Sequence, residues 1–108
     1  MSERRRESRV PTEVEVRIVA LSDEGTPFTQ AAVARNISIG GGLLVSLGRK
    51  LRCGDLIRVQ HCETSARFRV VWTGISQRNG PFTAAVHKLK DDPCPWPELL
   101  IESVPNKN

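Results

Sequence analysis

Apolar and polar residues alternate along much of the chain. In residues 13–20 the apolar side chains occupy every second position, at Val14, Val16, Ile18 and Ala20. Between them lie Glu13, Glu15 and Arg17. A period of two predicts a half-buried β-strand rather than a helix. We therefore expect a first strand over residues 13–20 with one face in the core.

Five further strands are predicted, at residues 29–38, 43–45, 56–60, 65–76 and from Phe82 onwards. In residues 29–38 the alternation sets Asn36 and Ser38 on one face and Arg35 and Ile37 on the other. In residues 65–76 it directs Phe68, Val70 and Trp72 to the core and Arg67 and Arg69 to the other face. Turn residues separate these runs, at 23–27, 40–42, 53–55 and 79–80, and Asn79-Gly80 is a strong hairpin signal.

No amphipathic helix of useful length lies between the strands. Six short strands separated by turns predict an all-β fold, an antiparallel barrel or sandwich. The proline-rich end of the chain differs: Pro97 can begin a short helix over residues 98–103, which Pro105 would stop. We expect Trp96, Leu99 and Leu100 to cover an open end of the barrel. The predicted organisation is a flexible basic segment, residues 1–12, and one barrel domain with a C-terminal cap, residues 13–108.

Charge is unevenly distributed. The chain has 108 residues and a formal net charge of +4. Residues 1–9 contain four arginines and two glutamates, a net of +2, which is half of the total. Its 26% charged and 39% apolar residues are typical of a soluble globular protein. No stretch approaches the roughly 20 apolar residues of a membrane span. The N-terminus lacks the apolar stretch of a secretory signal, so a cytoplasmic protein without a membrane span is expected.

The residues offer little material for catalysis or metal binding. Three cysteines, at positions 53, 62 and 94, are an odd number without a CxxC pair, which favours free thiols in a reducing cytoplasm. His61 and Cys62 are adjacent, but consecutive strand residues point to opposite faces, so we expect them to diverge from any shared metal ion. Ser38 lacks the first glycine of the GxSxG motif, and the glycine run 40–42 is not a P-loop. We expect neither an enzyme, a cofactor nor a metal site.

Two segments carry groups suited to nucleotide recognition. Arg5 and Arg9 form an RxxxR motif, and a guanidinium can pair with phosphate or with a guanine edge. Asn36, Ser38 and Gly41 form an NxSxxG motif, which combines an amide, a hydroxyl and a residue without a side chain. Taken singly, the RxxxR motif is typical of a solvated basic tail, and the NxSxxG motif is typical of the end of a strand.

Together and in this order, the two motifs resemble the signature of the PilZ domain family: RxxxR, followed about 20 to 30 residues later by [D/N]xSxxG on the next strand. The resemblance covers essentially the whole chain. It implies a six-stranded antiparallel β-barrel of the split-barrel type with a short C-terminal helix. It also implies a bacterial, cytoplasmic receptor for the second messenger cyclic di-GMP.

The resemblance assigns ligand-binding roles to five residues. Arg5 and Arg9 would bind guanine edges and phosphates, Asn36 a guanine, and Ser38 a phosphate or base, while Gly41 would allow close approach. Arg4 and Arg6 are additional cations that either bind the ligand together with Arg5 and Arg9 or stay solvated beside it. Arg4 is a candidate for stacking on a guanine of a ligand dimer. Binding would order the arginine segment and signal to a downstream partner protein.

Two other functions stay open. The first is a PilZ-like adaptor that works through protein contacts alone and does not bind cyclic di-GMP. The second is a nucleic-acid-binding barrel that uses the basic strand faces of Arg58, Arg67 and Arg69. Base-stacking barrels display exposed rings. Phe68 and Trp72 are expected in the core, so we do not expect nucleic acid as a partner.

Overall fold

The computed structural model describes residues 10–22, 24–75, 81–97 and 99–100. Within them the chain forms six β-strands: Val10–Leu21 (β1), Pro27–Ser38 (β2), Gly41–Leu47 (β3), Leu56–His61 (β4), Thr64–Ile75 (β5) and Phe82–Lys88 (β6). The first strand begins before the predicted position 13. The Asn79-Gly80 turn lies outside the described residues.

The strands form a closed barrel in the order β1-β2-β3-β6-β5-β4, with every neighbouring pair antiparallel. The all-β prediction is confirmed, and of the two predicted architectures it is the barrel that forms. Strands β1 and β2 are a long hairpin whose turn is tightened by Ser22, since its Oγ accepts the backbone N–H of Glu24 and of Thr26.

Because all pairs are antiparallel, β1, β3 and β5 begin at one end of the barrel, and β2, β4 and β6 begin at the other. We call the end where β1, β3 and β5 begin the Trp96 end, because the segment around Trp96 packs there. We call the opposite end, where these strands stop, the Leu51 end. The β3–β4 loop contributes Leu51, which is 2% exposed, to the core near that end.

The core follows the alternation in β1 and breaks it in β2. The four residues of β1 that were predicted to face the core are all buried: Val14, Val16, Ile18 and Ala20. In β2, Ala32 and Ala34 face inward, but Ile37 and Ser38 are both buried and Asn36 is exposed. The β1–β2 and β2–β3 registers shift around this position, and Asn36 has a φ of +51°. Such a bulge inserts one residue and reverses the alternation beyond it. The prediction that Asn36 and Ser38 share a face is therefore wrong.

A second irregularity lies in β5. The β5–β6 register shifts between Val70 and Trp72, and Trp72 is 53% exposed. Phe68 and Val70 are buried as predicted, whereas the prediction of Trp72 in the core is wrong. The extra residue at the shift turns Val71 and Trp72 both outward.

The C-terminal segment closes the Trp96 end. Trp96 is fully buried, with its ring centroid 5.7 Å from that of Phe68. Leu99 and Leu100 are partly buried against the same core, as expected. Most of the predicted helix over residues 98–103 lies outside the described residues. In the part of the chain that is described, no helix is long and apolar enough to cross a membrane.

Candidate functional site

The NxSxxG motif forms the junction between β2 and β3 at the Trp96 end. Asn36 is exposed and holds the left-handed conformation that asparagine tolerates better than most residues. Its amide therefore stands on the outer surface of the barrel. Ser38 is instead 0% exposed, and its Oγ donates to the carbonyl of Gly41 at 3.5 Å.

Ser38 and Gly41 have structural roles in this junction. The indole Nε1 of Trp96 donates to the carbonyl of Ser38 at 2.8 Å, which ties the end of β2 to the C-terminal segment. A Cβ at Gly41 would lie 2.5 Å from the carbonyl oxygen of Val86, so only glycine allows β3 to approach β6 this closely. The predicted ligand contacts of both residues stay predictions.

The strand registers place a cation and an indole at the two ends of one row on the outer surface of the barrel. Arg35 pairs with Leu43, Leu43 with Ala85, and Ala85 with Trp72. This row crosses β2, β3, β6 and β5, which are separated by three of the six strand spacings of the closed barrel. Arg35 and Trp72 therefore lie on opposite sides of the barrel, about 14 Å apart along the curved sheet. Arg35 is also bound to Glu13, since its Nη2 donates to Oε2 of that carboxylate at 2.6 Å.

The indole of Trp72 lies along its own strand. A Cβ on Gly74 would stand 2.5 Å from the Cη2 atom of the ring, so the missing side chain at position 74 provides the space that the ring fills. Residues two apart on a strand share a face. Sequence alternation assigned Trp72 to the core, and the one signal that pointed elsewhere was Gly74, since glycine inside a strand often marks a bulge or a close approach.

A second row lies next to the first, nearer the Trp96 end. Gly41 pairs with His87, and His87 with Arg69. Both side chains are exposed on the outer face. The Nη1 of Arg69 donates to the carbonyl of Gly54 at 3.1 Å, which holds this guanidinium against the neighbouring loop. The imidazole of His87 thus lies next to the glycine of the motif, and the guanidinium of Arg69 lies one strand further away.

The RxxxR motif precedes β1 directly. Val10, the first residue of β1, pairs with Ile37, which lies between Asn36 and Ser38. Arg4, Arg5, Arg6 and Arg9 lie outside the described residues. The pairing nevertheless shows that the chain enters the barrel beside the NxSxxG motif.

An ion pair fastens the segment that carries Trp96. Arg67 Nε and Nη2 donate to the two carboxylate oxygens of Asp92 at 3.0 and 2.8 Å, and the backbone N–H of Arg67 donates to the same side chain at 2.6 Å. These bonds hold the pKa of Asp92 well below its ordinary value. They also raise the pKa of Arg67. Of the three arginines in the basic strand faces, Arg67 is therefore already committed to a carboxylate.

His61 and Cys62 contradict the expectation that they diverge. Cys62 lies in the turn after β4 with a φ of +55°, and its Sγ is 3.7 Å from Nε2 of His61. The strand rule fails because the second residue is already in the turn. Among the described residues, no group of three or more His, Cys, Asp or Glu side chains could hold a metal ion.

No protein-family model, curated protein or solved structure matches the chain. The resemblance to the PilZ family therefore depends on the two sequence motifs and on what their surroundings add.

Proposed function

We propose that this protein is a PilZ-like receptor domain that binds cyclic di-GMP on the outer face of the barrel at the Trp96 end. The observation that carries the proposal is the pairing of Val10 with Ile37. The RxxxR motif directly precedes Val10 in the sequence, and Ile37 lies inside the NxSxxG motif. The proposed site is therefore the junction at which the two motifs meet.

The groups around this place suit a dianionic ligand with two guanines. Arg5 and Arg9 supply forked donors for phosphates and for the O6 and N7 atoms of guanine. The exposed amide of Asn36 offers both a donor and acceptors to a guanine edge. Arg4 and Arg6 add positive charge to the same segment. Ser38 and Gly41 keep the β2–β3 junction in the shape that presents Asn36.

Trp72 lies outside the proposed site. It is exposed on β5, on the side of the barrel opposite β2, and its ring extends along its own strand over Gly74.

Binding would act as a switch. Cyclic di-GMP would bring the arginine segment onto the barrel and so form a surface that the ligand-free protein lacks. That surface would then contact a downstream protein.

Calorimetric titration with cyclic di-GMP, GTP and cyclic di-AMP tests the proposal. We expect micromolar or tighter affinity for cyclic di-GMP alone. Binding should disappear in Arg5→Ala and Arg9→Ala and weaken about tenfold or more in Asn36→Ala, whereas Trp72→Ala, on the opposite side of the barrel, should not change it. Arg49→Ala is the matched control, because Arg49 follows β3 at the Leu51 end and stacks on Phe28 instead.

Absence of binding by the wild-type protein would overturn the receptor proposal and favour the adaptor that works through protein contacts alone. The same titration gives the ligand stoichiometry. One ligand per chain, unchanged in Arg4→Ala, would exclude a stacked ligand dimer on Arg4.

The exposure of Trp72 supports a second candidate, a barrel that binds single-stranded nucleic acid. The argument against this function was the lack of an exposed ring, and Trp72 is exposed. It shares the outer surface of the β4–β5 pair with Arg58 and Arg69. Binding to mixed single-stranded DNA that weakens steeply with salt, and is lost in Trp72→Ala, would establish it. Binding that is insensitive to Trp72 would exclude this surface.

A further inference from the structure

Cys62 occupies the turn of the β4–β5 hairpin. His61 pairs with Thr64, which leaves Cys62 and Glu63 as a two-residue loop. Cys62 is exposed and has a φ of +55°, a conformation that turns usually assign to glycine or asparagine. The left-handed backbone directs its thiol back towards the preceding residue.

The imidazole of His61 is oriented by the C-terminal segment. Its Nδ1 is 3.1 Å from the carbonyl oxygen of Pro95, which is buried next to Trp96. A carbonyl only accepts, so Nδ1 carries the proton and Nε2 is the acceptor in the neutral ring. That acceptor is the atom 3.7 Å from Sγ of Cys62. A thiol, a base within reach and a third group that orients the base form the arrangement of an activated nucleophile.

Cys62 also lines a groove on the surface of the barrel. An open depression of about 570 Å³ lies along the outer face of β1 and β2, and Cys62 is part of its wall. The groove begins where β1 and β4 stop pairing, beside the Arg17–Gln60 pair. Carboxylate, guanidinium and amide groups line it together with small apolar side chains: Glu15, Arg17, Gln60, Ala31 and Val33. Its volume is in the range of small-molecule sites.

We propose that Cys62 is a site of thiol–disulfide exchange with a low-molecular-weight disulfide bound in this groove. His61 Nε2 takes the thiol proton, and the resulting thiolate attacks one sulfur of the disulfide. One S–S bond forms to Cys62 while the S–S bond of the ligand breaks. The departing thiolate receives the proton from His61. The protein thiol is thereby oxidised to a mixed disulfide, and one thiol of the small molecule is released.

The groove favours a disulfide that carries charges of both signs. Glu15 and Arg17 are two residues apart on the same face of β1 and thus about 7 Å apart along the strand. Together they match the ammonium and carboxylate groups of an amino-acid-derived disulfide such as glutathione disulfide. The uncharged 2-hydroxyethyl disulfide lacks both groups and serves as the comparison reagent.

The other two cysteines provide internal controls. Cys53 is also exposed, and Cys94 is half-buried. The protein is incubated with glutathione disulfide, and each cysteine is followed by peptide mass spectrometry over time. We expect Cys62 to react at least about tenfold faster than Cys53, a modest part of what a positioned base commonly contributes. Equal rates at Cys62 and Cys53 would overturn the proposal.

Two variants separate the base from the groove. His61→Gln keeps a donor for the Pro95 carbonyl but removes the base, and it should lower the Cys62 rate to that of Cys53. His87→Gln, at an exposed histidine on another strand, is the matched control and should leave the reaction rate of Cys62 unchanged. An unchanged rate in a folded His61→Gln protein would contradict the role of the base.

Ala31→Phe fills the groove from an exposed strand position and leaves the Cys62–His61 pair in place. This variant should lower the rate at which Cys62 reacts with glutathione disulfide several-fold. It should leave the rate with the small reagent methyl methanethiosulfonate unchanged. If glutathione disulfide reacts at Cys62 equally fast in this variant, or no faster than 2-hydroxyethyl disulfide does in the wild type, the groove is not the binding site.

Discussion

The two ends of the barrel are closed in different ways. At the Trp96 end one fully buried indole packs on Phe68 and donates to the carbonyl of Ser38, and its segment is fastened by the Arg67–Asp92 pair. At the Leu51 end the loop residue Leu51 is buried, and Phe28 and Phe82 are only partly so. Apolar side chains remain exposed there, at Leu21 (61%), Leu56 (45%) and Ile75 (56%).

The difference indicates where chemistry can be positioned. A candidate binding site needs side chains whose backbone is held by packing and hydrogen bonds on several sides. Only the Trp96 end combines a buried hydrogen-bonded anchor with an exposed amide, an exposed imidazole and the oriented His61–Cys62 pair among the described residues.

Replacing Trp96 should have the largest effect on stability. Trp96→Ala leaves a cavity against Phe68 and removes the bond to Ser38, and it should lower the free energy of unfolding by about 3–5 kcal/mol. Trp96→Phe should cost less, since it keeps most of the packing. Trp72→Ala is the control, because its half-exposed ring should contribute about 1 kcal/mol or less. Urea denaturation measures all three, and equal losses at positions 96 and 72 would contradict the assignment of Trp96 as the anchor.

Gly41 should be less tolerant of a side chain than Gly48. A Cβ at position 41 would meet the carbonyl oxygen of Val86 at 2.5 Å, whereas at position 48 the nearest atom is 3.8 Å away. Gly41→Ala should therefore destabilise the protein by about 1–3 kcal/mol, as overpacking does, while Gly48→Ala at the Leu51 end should be nearly neutral. Thermal unfolding of the pair tests this, and similar midpoints would show that β3 and β6 can separate at little cost.

The Asp92 carboxylate should make stability depend on pH. Its pKa is lowered in the folded protein, so its contribution is present above the unfolded value of about 3.9 and is lost as the pH falls through the folded one. The thermal unfolding midpoint of the wild type should exceed that of Asp92→Asn at pH 7, and the difference between the two midpoints should narrow below about pH 4. Glu13→Gln is the matched control, because the Glu13–Arg35 pair is well exposed on both sides. A gap at Asp92 that does not change with pH would show that the charge is not responsible.

Exposed apolar residues at the Leu51 end should matter least. Leu21→Ser and Ile75→Ser should each change the free energy of unfolding by no more than about 0.5 kcal/mol, since both side chains are more than half exposed. A larger loss in dilute monomeric protein would mean that this end is packed more tightly than its exposure indicates.

Sequence periodicity predicted the positions of the strands better than it predicted which residues of each strand face the core. The six strands and the buried side of β1 follow from the pattern of apolar and polar residues, because regular alternation reports directly on a pleated strand. The pattern left barrel and sandwich open, and only the family resemblance implied the barrel. The irregularities at Asn36 and Trp72 cannot be predicted in this way. A bulge shifts the alternation of apolar and polar residues by one position without changing the composition of the strand.

The candidate site could be predicted only in part for the same reason. Spacing identified Asn36, Ser38 and Gly41, but Ser38 turned out to be buried and Gly41 to be required by Val86, and neither fact is visible in the motif. His87 lies next to Gly41 through the pairing of β3 with β6, which links residues distant in sequence. The proximity of Cys62 to His61 depends on a single left-handed residue in a turn.

The most direct test of the central claim is an NMR titration of isotope-labelled protein with cyclic di-GMP. We expect saturable shifts at Asn36, Gly41 and His87, with the indole of Trp72 and with Gly25 and Gly48 at the Leu51 end unchanged. No shift at any ratio, or shifts centred on the Leu51 end, would contradict it.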